Sequence, residues 1–122
     1  MRDHTSLRCW QVARTVTAGV FELSVHHWTP PAGAAFSQLQ RSALSVQLNL
    51  AEGYTWRPGL RWQHHLRIAY GSAVETTDVL ELLRDVKAAP IERLAALILE
   101  SRRAQALVLA LLKSARTQEN GR

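Results

Sequence analysis

Residues 41–53 read RSALSVQLNLAEG, and the fold of the chain turns on which way this stretch faces. At roughly 100° per residue, Leu39, Ala43, Val46 and Leu50 fall in one apolar row, while Leu44, Leu48 and Ala51 fall in a second, offset one. Arg41, Ser45, Asn49 and Glu52 form a third row that is wholly polar. A bundle helix in a monomer needs one apolar stripe about 100° wide or somewhat wider. This helix has two, so part of its apolar surface is left over once an intrachain core is built.

Helical periodicity extends to both sides. Leu7, Trp10, Ala13, Val16, Val20 and Leu23 recur at spacings of three and four, which predicts a helix over about 5–27, closed by Pro30 and Pro31. The second helix spans about 34–54 and ends at Gly53, with Pro58 shortly after. A third runs over about 58–86, with Pro58 in its first turn, where a missing amide would have had no intrahelical partner. It also carries two seams: Trp62, Leu66, Ala69, Ala73, Thr76, Leu80 and Leu83 on one, Ile68, Gly71, Glu75, Val79, Leu82 and Val86 on the other. The fourth spans about 91–116, with Leu94, Leu97, Ile98, Ala104, Val108, Leu111 and Leu112 inward, and the closing TQENGR is expected to fray. Four helices with short connections predict an all-α, antiparallel up-down-up-down four-helix bundle, a single unit over 1–122. The surplus seams predict a homo-oligomer.

Composition agrees with this reading. A chain of 122 residues that is 47% hydrophobic is long enough for one core and too apolar for disorder. Only 7% of it is aromatic, and abundant Leu, Ala and Arg favour helix over sheet. Fifteen Lys and Arg against ten Asp and Glu leave a formal charge of +5 and an isoelectric point near 10.3, a balance that favours anionic partners. The opening MRDHTSLRCW carries charges at Arg2, Asp3 and Arg8 with no apolar run behind them, so it does not read as a signal peptide. The longest apolar run, Ala106 to Leu112, is far too short to span a bilayer. A cytoplasmic protein with no membrane partner is expected. Cys9 is the only cysteine, which excludes an intrachain disulfide and a thiolate metal cage. It is expected to pack as a small hydrophobe beside Val12 and Val16.

Between Gly53 and Val74 there is no acidic residue, whereas Arg57, Arg61 and Arg67 are interleaved with Tyr54, Trp56, Trp62, His64, His65 and Tyr70. Cations for phosphates and aromatics for base stacking are what sequence-tolerant nucleic-acid binding needs. Arg57, Arg61 and Arg67 are the expected phosphate contacts, with Arg41 a weaker fourth. Glu75, Asp78, Glu81 and Asp85 crowd the other half of the same helix. That polarity opposes the helix macrodipole, at a few tenths to about 1 kcal/mol per charge, and so invites a functional explanation. The structural alternative pairs these acids with Arg93, Arg102 or Arg103 and leaves Trp62 in the core.

Asn49, Glu52 and Glu75 read as interior polar or subunit-boundary residues, with Arg41 or Arg14 as partners, because a buried carboxylate needs one. No catalytic group, metal or cofactor is expected. The adjacent pairs His26-His27 and His64-His65 diverge by about 100° instead of converging on an ion. No inward Glu-x-x-His motif is available for a di-metal bundle, and Ser42, Ser45 and Ser72 lack an arrangement that would activate a nucleophile. Gly71 reads as a point of close helix approach.

The runs Arg41-Ser42-Ala43-Leu44-Ser45 and Asn49-Leu50-Ala51-Glu52-Gly53, followed by Leu66-Arg67-Ile68-Ala69-Tyr70-Gly71-Ser72 and Glu75, resemble the four-helix-bundle family of ribosomal RNA intervening-sequence proteins. Leu7, Trp10, Gln11 and Ala13 resemble the family's opening, so the resemblance reaches to about Val86. The chain departs from the pattern at Gln40, where an arginine is usual, at Gln47, where a proline is usual, and at Trp56, where a basic residue is usual. Two positive charges are thereby lost. The resemblance implies a homo-oligomer, a pentameric barrel as in the related accessory proteins of diversity-generating retroelements, with RNA or DNA and a reverse transcriptase or other protein as partners. The combined expectation is a non-enzymatic oligomer that binds nucleic acid as an accessory to an RNA-processing or reverse-transcribing partner. Its alternative is a protein-interaction scaffold without nucleic-acid affinity.

Overall fold

The computed structural model describes residues 3–120, with side chains through 118. Four helices follow one another: α1 (Arg8–His27), α2 (Gly33–Tyr54), α3 (Leu60–Asp85) and α4 (Ile91–Asn120). Single 3-10 turns at His4–Ser6 and Pro30–Ala32 lead into α1 and α2, and there is no strand among the described residues. Nor, among them, is any helix long and apolar enough to cross a membrane.

The helix ends follow local chemistry. Trp28 and Thr29 are extended, as a residue ahead of a proline prefers, and α1 stops there. Pro58 lies in the loop and not in the first turn of α3, because Gly59 intervenes at φ +144°. That backbone angle is open to glycine and closed to most side chains. The fourth helix runs past the expected end at Arg116 to Asn120; Ala115 is still buried and the Thr117 hydroxyl donates to the Lys113 carbonyl. The last two residues of TQENGR, like Met1 and Arg2, lie outside the described residues.

The row Leu39, Ala43, Val46 and Leu50 faces inward, as does the seam from Trp62 to Leu83. The core they build has two apolar halves. One gathers Cys9, Ala13, Val46, Leu50, Trp62, Leu66, Val108 and Leu112. The other gathers Val16, Val20, Leu23, Phe36, Leu39, Leu80, Leu83, Leu94 and Ile98. Between them lie the buried hydroxyls of Thr17, Ser42, Thr76, Thr77 and Ser101. Thr17 Oγ1 is 2.9 Å from the Ala13 carbonyl and 3.1 Å from that of Ala43. Thr76 donates to Ser42 at 2.9 Å, and Thr77 and Ser101 share a bond of 2.8 Å. A buried hydroxyl left without a partner costs about 1–3 kcal/mol, so this belt fixes the level at which the helices meet.

Cys9 is buried with Ala13, Leu50 and Val108, whereas Val16 belongs to the other half of the core. Two turns of helix separate positions 9 and 16, roughly 10 Å at 1.5 Å per residue. Burial pushes the Cys9 thiol up to about 12.

Contacts run in opposite order along neighbouring helices. Asn49 meets His65 and Gln38 meets Glu75 across α2 and α3, while Cys9 faces Ala104 and Glu22 meets Arg93 across α1 and α4. Most residues of the second seams stay outside the intrachain core: Leu48 is 52% exposed beside Leu50 at 0%, and Leu44, Ile68, Leu82 and Val86 are exposed as well, while Val79 packs against the core's edge. Gly71 lies on this outer face with nothing within 4 Å of an added Cβ, which corrects the expectation of a close approach there. The tight contact is at Gly53, where a Cβ would stand 2.6 Å from His65 Cβ and 2.9 Å from Trp62 Cε3.

Candidate nucleic-acid interface

The polar row of α2 splits into two roles. Ser45 and Asn49 are half-buried and turned to α3. Asn49 Nδ2 donates to the Ser45 carbonyl at 2.9 Å, which leaves its Oδ1 to accept from His65 Nδ1 at 2.9 Å and fixes the proton on that ring nitrogen. One turn away, the Ser45 and Ser72 hydroxyls are 2.7 Å apart. The residues that carry the sequence resemblance, Ser42, Ser45, Asn49, Gly53 and Ser72, therefore build the α2–α3 seam. Their spacing is the signal: rows four residues apart on each helix face one another.

Arg41, Glu52 and Glu75 are exposed. Glu75 is not interior in the chain, because its seam faces outward, and Gln38 Nε2 donates to its carboxylate at 2.6 Å. Neither Arg41 nor Arg14 is its partner; the Arg14 guanidinium lies 6.0 Å from the centre of the Trp10 ring. Among the described residues no three His, Cys, Asp or Glu side chains gather as metal ligands.

Charge is segregated along the bundle. Among the residues whose side chains are described, the helix halves that converge on the α2–α3 loop, together with that loop and the turn ahead of α1, carry Arg8, Arg14, Arg57, Arg61, Arg67, Lys113 and Arg116, all exposed, against Asp3 and Glu52. The opposite halves are close to balanced, with Arg41, Arg84, Lys87, Arg93, Arg102 and Arg103 against Glu22, Glu75, Asp78, Glu81, Asp85, Glu92 and Glu100. Arg57 and Arg61 are thus joined by Arg8, Lys113 and Arg116, which sequence reasoning missed because they are remote along the chain. Arg41 is separated from this group: it stands thirteen residues before the end of α2, roughly 20 Å along the axis. Asp3 keeps its charge, since the Thr5 hydroxyl and then the Thr5 amide hold its carboxyl below the usual range.

The aromatics do something other than wait for bases. The Arg57 guanidinium lies 3.5 Å from the centre of the Tyr54 ring, and that of Arg61 lies 4.0 Å from Trp56. Tyr54 in turn meets the buried Trp62 edge to face at 6.4 Å. Ring faces attract cations by about 0.5–2 kcal/mol, so these two guanidiniums are held in place from below with their outer sides open. Trp56 serves as the platform for one. No carboxylate of the described residues lies within 4.0 Å of Arg41, Arg57, Arg61 or Arg67. Both α1 and α3 begin at this end without a side-chain cap, but α2 and α4 end here, so the helix dipoles largely offset one another and the positive potential comes from the side chains.

At the other end four of the six cations, Arg84, Arg93, Arg102 and Arg103, are engaged. Arg102 binds Glu81 at 3.0 Å, Arg93 binds Glu22 at 3.1 Å, and Arg84 reaches both Glu81 and Asp85. The structural alternative read from the sequence therefore describes this end, and it also describes Trp62, which is buried.

No curated protein matches the chain. The sequence model of the 23S rRNA-intervening sequence protein family matches residues 5–110, beyond the reach of the motifs and into α4, and the chain belongs to that family.

Proposed function

We propose that the protein is a non-enzymatic up-down-up-down bundle that assembles with copies of itself and binds RNA or DNA through its basic end. The observation that carries this reading is the segregation of charge: among the described residues, seven exposed cations, two of them pinned on aromatic rings, stand with two acids at one end. Phosphate backbones need an array of unengaged cations, and the counterions released on contact supply most of the affinity. The antiparallel order of the helix contacts supports the up-down-up-down path. The exposed leucines of the second seams support assembly, with a pentamer as the stoichiometry the family resemblance suggests. Glu52 and Glu75 then lie at or near a subunit boundary. A role beside an RNA-processing or reverse-transcribing enzyme is compatible with the family's name.

The test is affinity against salt. The logarithm of the association constant should fall linearly with that of salt concentration, by about 0.9 per duplex phosphate neutralised or about 0.7 per single-strand phosphate. A flat response, or no binding at low salt, removes the proposal. It would favour a protein scaffold, for which exposed Val25, Trp28, Val86 and Ile91 at the opposite end offer a surface. Light scattering that gives the mass of one chain at micromolar concentration would remove the assembly claim alone.

A further inference from the structure

A cleft opens in the basic end itself. It is bounded by Leu7 ahead of α1, Arg57 and Pro58 of the loop, and Leu111, Ser114 and Gln118 of α4, with Trp62 at its base, and its volume is about 570 Å³. That lies within the range of small-molecule sites, about 300–1,000 Å³. Its walls are divided. Leu7, Pro58 and Leu111 present hydrocarbon, while the Ser114 hydroxyl and the Gln118 amide are exposed at its edge. Arg57 borders the same cleft, its guanidinium fixed on Tyr54.

Duplex backbones bind cations on an open surface and have no use for a half-apolar recess of this size. An unpaired base does: it has flat apolar faces, a polar edge that hydrogen-bonds, and a phosphate on either side. Resting on the nucleic-acid reading above, we infer that this cleft receives one unpaired nucleobase of single-stranded RNA or DNA. Arg57 holds the phosphate of that nucleotide at the mouth, Arg61 on its Trp56 platform meets the neighbouring phosphate, and Ser114 and Gln118 face the base edge. The protein therefore prefers single strands and strand ends to uninterrupted duplex. By contrast, the groove of about 650 Å³ between α3 and α4 is edged by Glu75, Asp78 and Glu81, and its carboxylates would repel the same ligand.

The experiment compares short labelled RNA, the DNA of the same sequence, and the duplex of that DNA, on the parent protein and on Ser114→Trp, which fills the cleft and leaves every charge in place. Single strands should bind the parent more tightly than duplex at equal phosphate number. The variant should lose about tenfold or more on single strands, the scale expected for one stacked base, with duplex affinity and salt slope unchanged. A loss on RNA alone or on DNA alone supports the site and names its source. Equal loss on duplex, or full single-strand affinity in the variant, overturns the cleft and leaves the basic surface standing. No binding of any strand overturns both. Gln118→Trp, at an exposed position one turn further along the same wall of the cleft, makes a similar obstruction should Ser114→Trp fail to fold, and circular dichroism reports which variant is usable.

Discussion

The two ends of the bundle use the same residue types to opposite effect. At one end Arg84, Arg93 and Arg102 are shared among Glu22, Glu81 and Asp85, and little net charge remains. At the other, Arg57 and Arg61 lean on aromatic rings, and their charge is left for a partner. Ion pairs on a surface contribute about 0–1 kcal/mol and are easily exchanged. A guanidinium on a ring is held without being neutralised. The two ends carry similar numbers of cations among the described residues; they differ in how many acids stand beside those cations and in what the arginines rest on.

The comparison breaks most directly with paired substitutions. Arg57→Ala with Arg61→Ala should weaken nucleic-acid binding on the order of tenfold to a hundredfold at low salt and reduce the duplex salt slope by about 1.8. Arg93→Ala with Arg102→Ala should leave binding within about twofold and stability within about 2 kcal/mol, the limit for two surface pairs. Equal losses from both doubles, measured by fluorescence anisotropy, would show that total charge matters and its location does not.

Next in size, Gly53→Ala drives a methyl into His65 and Trp62. It should destabilise the fold by about 1–3 kcal/mol, as overpacking does, and weaken binding as well, because Trp62 supports the Tyr54 ring beneath Arg57. Denaturation together with anisotropy reads both effects. Unchanged binding in a destabilised variant would separate the aromatic platform from the seam below it.

The smallest effect concerns Cys9, which lies in the half of the core beneath the cations. Surface cations would draw a thiol's pKa down, whereas burial has raised this one from 9.0 to about 12. The folded state therefore holds the thiol proton more tightly than the unfolded state. Its contribution is fully present below about pH 9 and is lost as pH rises toward 12, about 1.4 kcal/mol being gone at pH 10. Cys9→Ala should show no such alkaline slope in urea titrations, and native Cys9 should react with a thiol reagent at pH 8 only as fast as the protein opens. Rapid reaction would place the thiol near the cationic surface.

Much of the architecture is legible along the chain. The row from Leu39 to Leu50 and the seam from Trp62 to Leu83 are periodic, and periodicity is a property of one helix that needs no knowledge of its neighbours. The second seams were legible for the same reason, and most of their residues are exposed. Less legible were the partners of polar residues. Glu75 reads as interior by its place among apolar neighbours, yet its seam faces outward and Gln38 satisfies it. The pairing of Asn49 with His65 depends on the register of two helices, which no local pattern contains. Gly53 reads as a helix end and Gly71 as a close approach; the packing of α3 on α2 makes Gly53 the tight one and leaves Gly71 open.

The order of residues alone determined that four amphipathic helices form, which rows they bury, and that the chain carries an excess of cations, because each follows from spacing and composition. Where the excess collects was decided by the tertiary structure. Folding α1 and α4 back along the central pair brings Arg8, Lys113 and Arg116 to Arg57 and Arg61, and it brings Arg102 to Glu81. Electrostatic potential depends on distances between charges through space, and those distances do not exist until the helices pack.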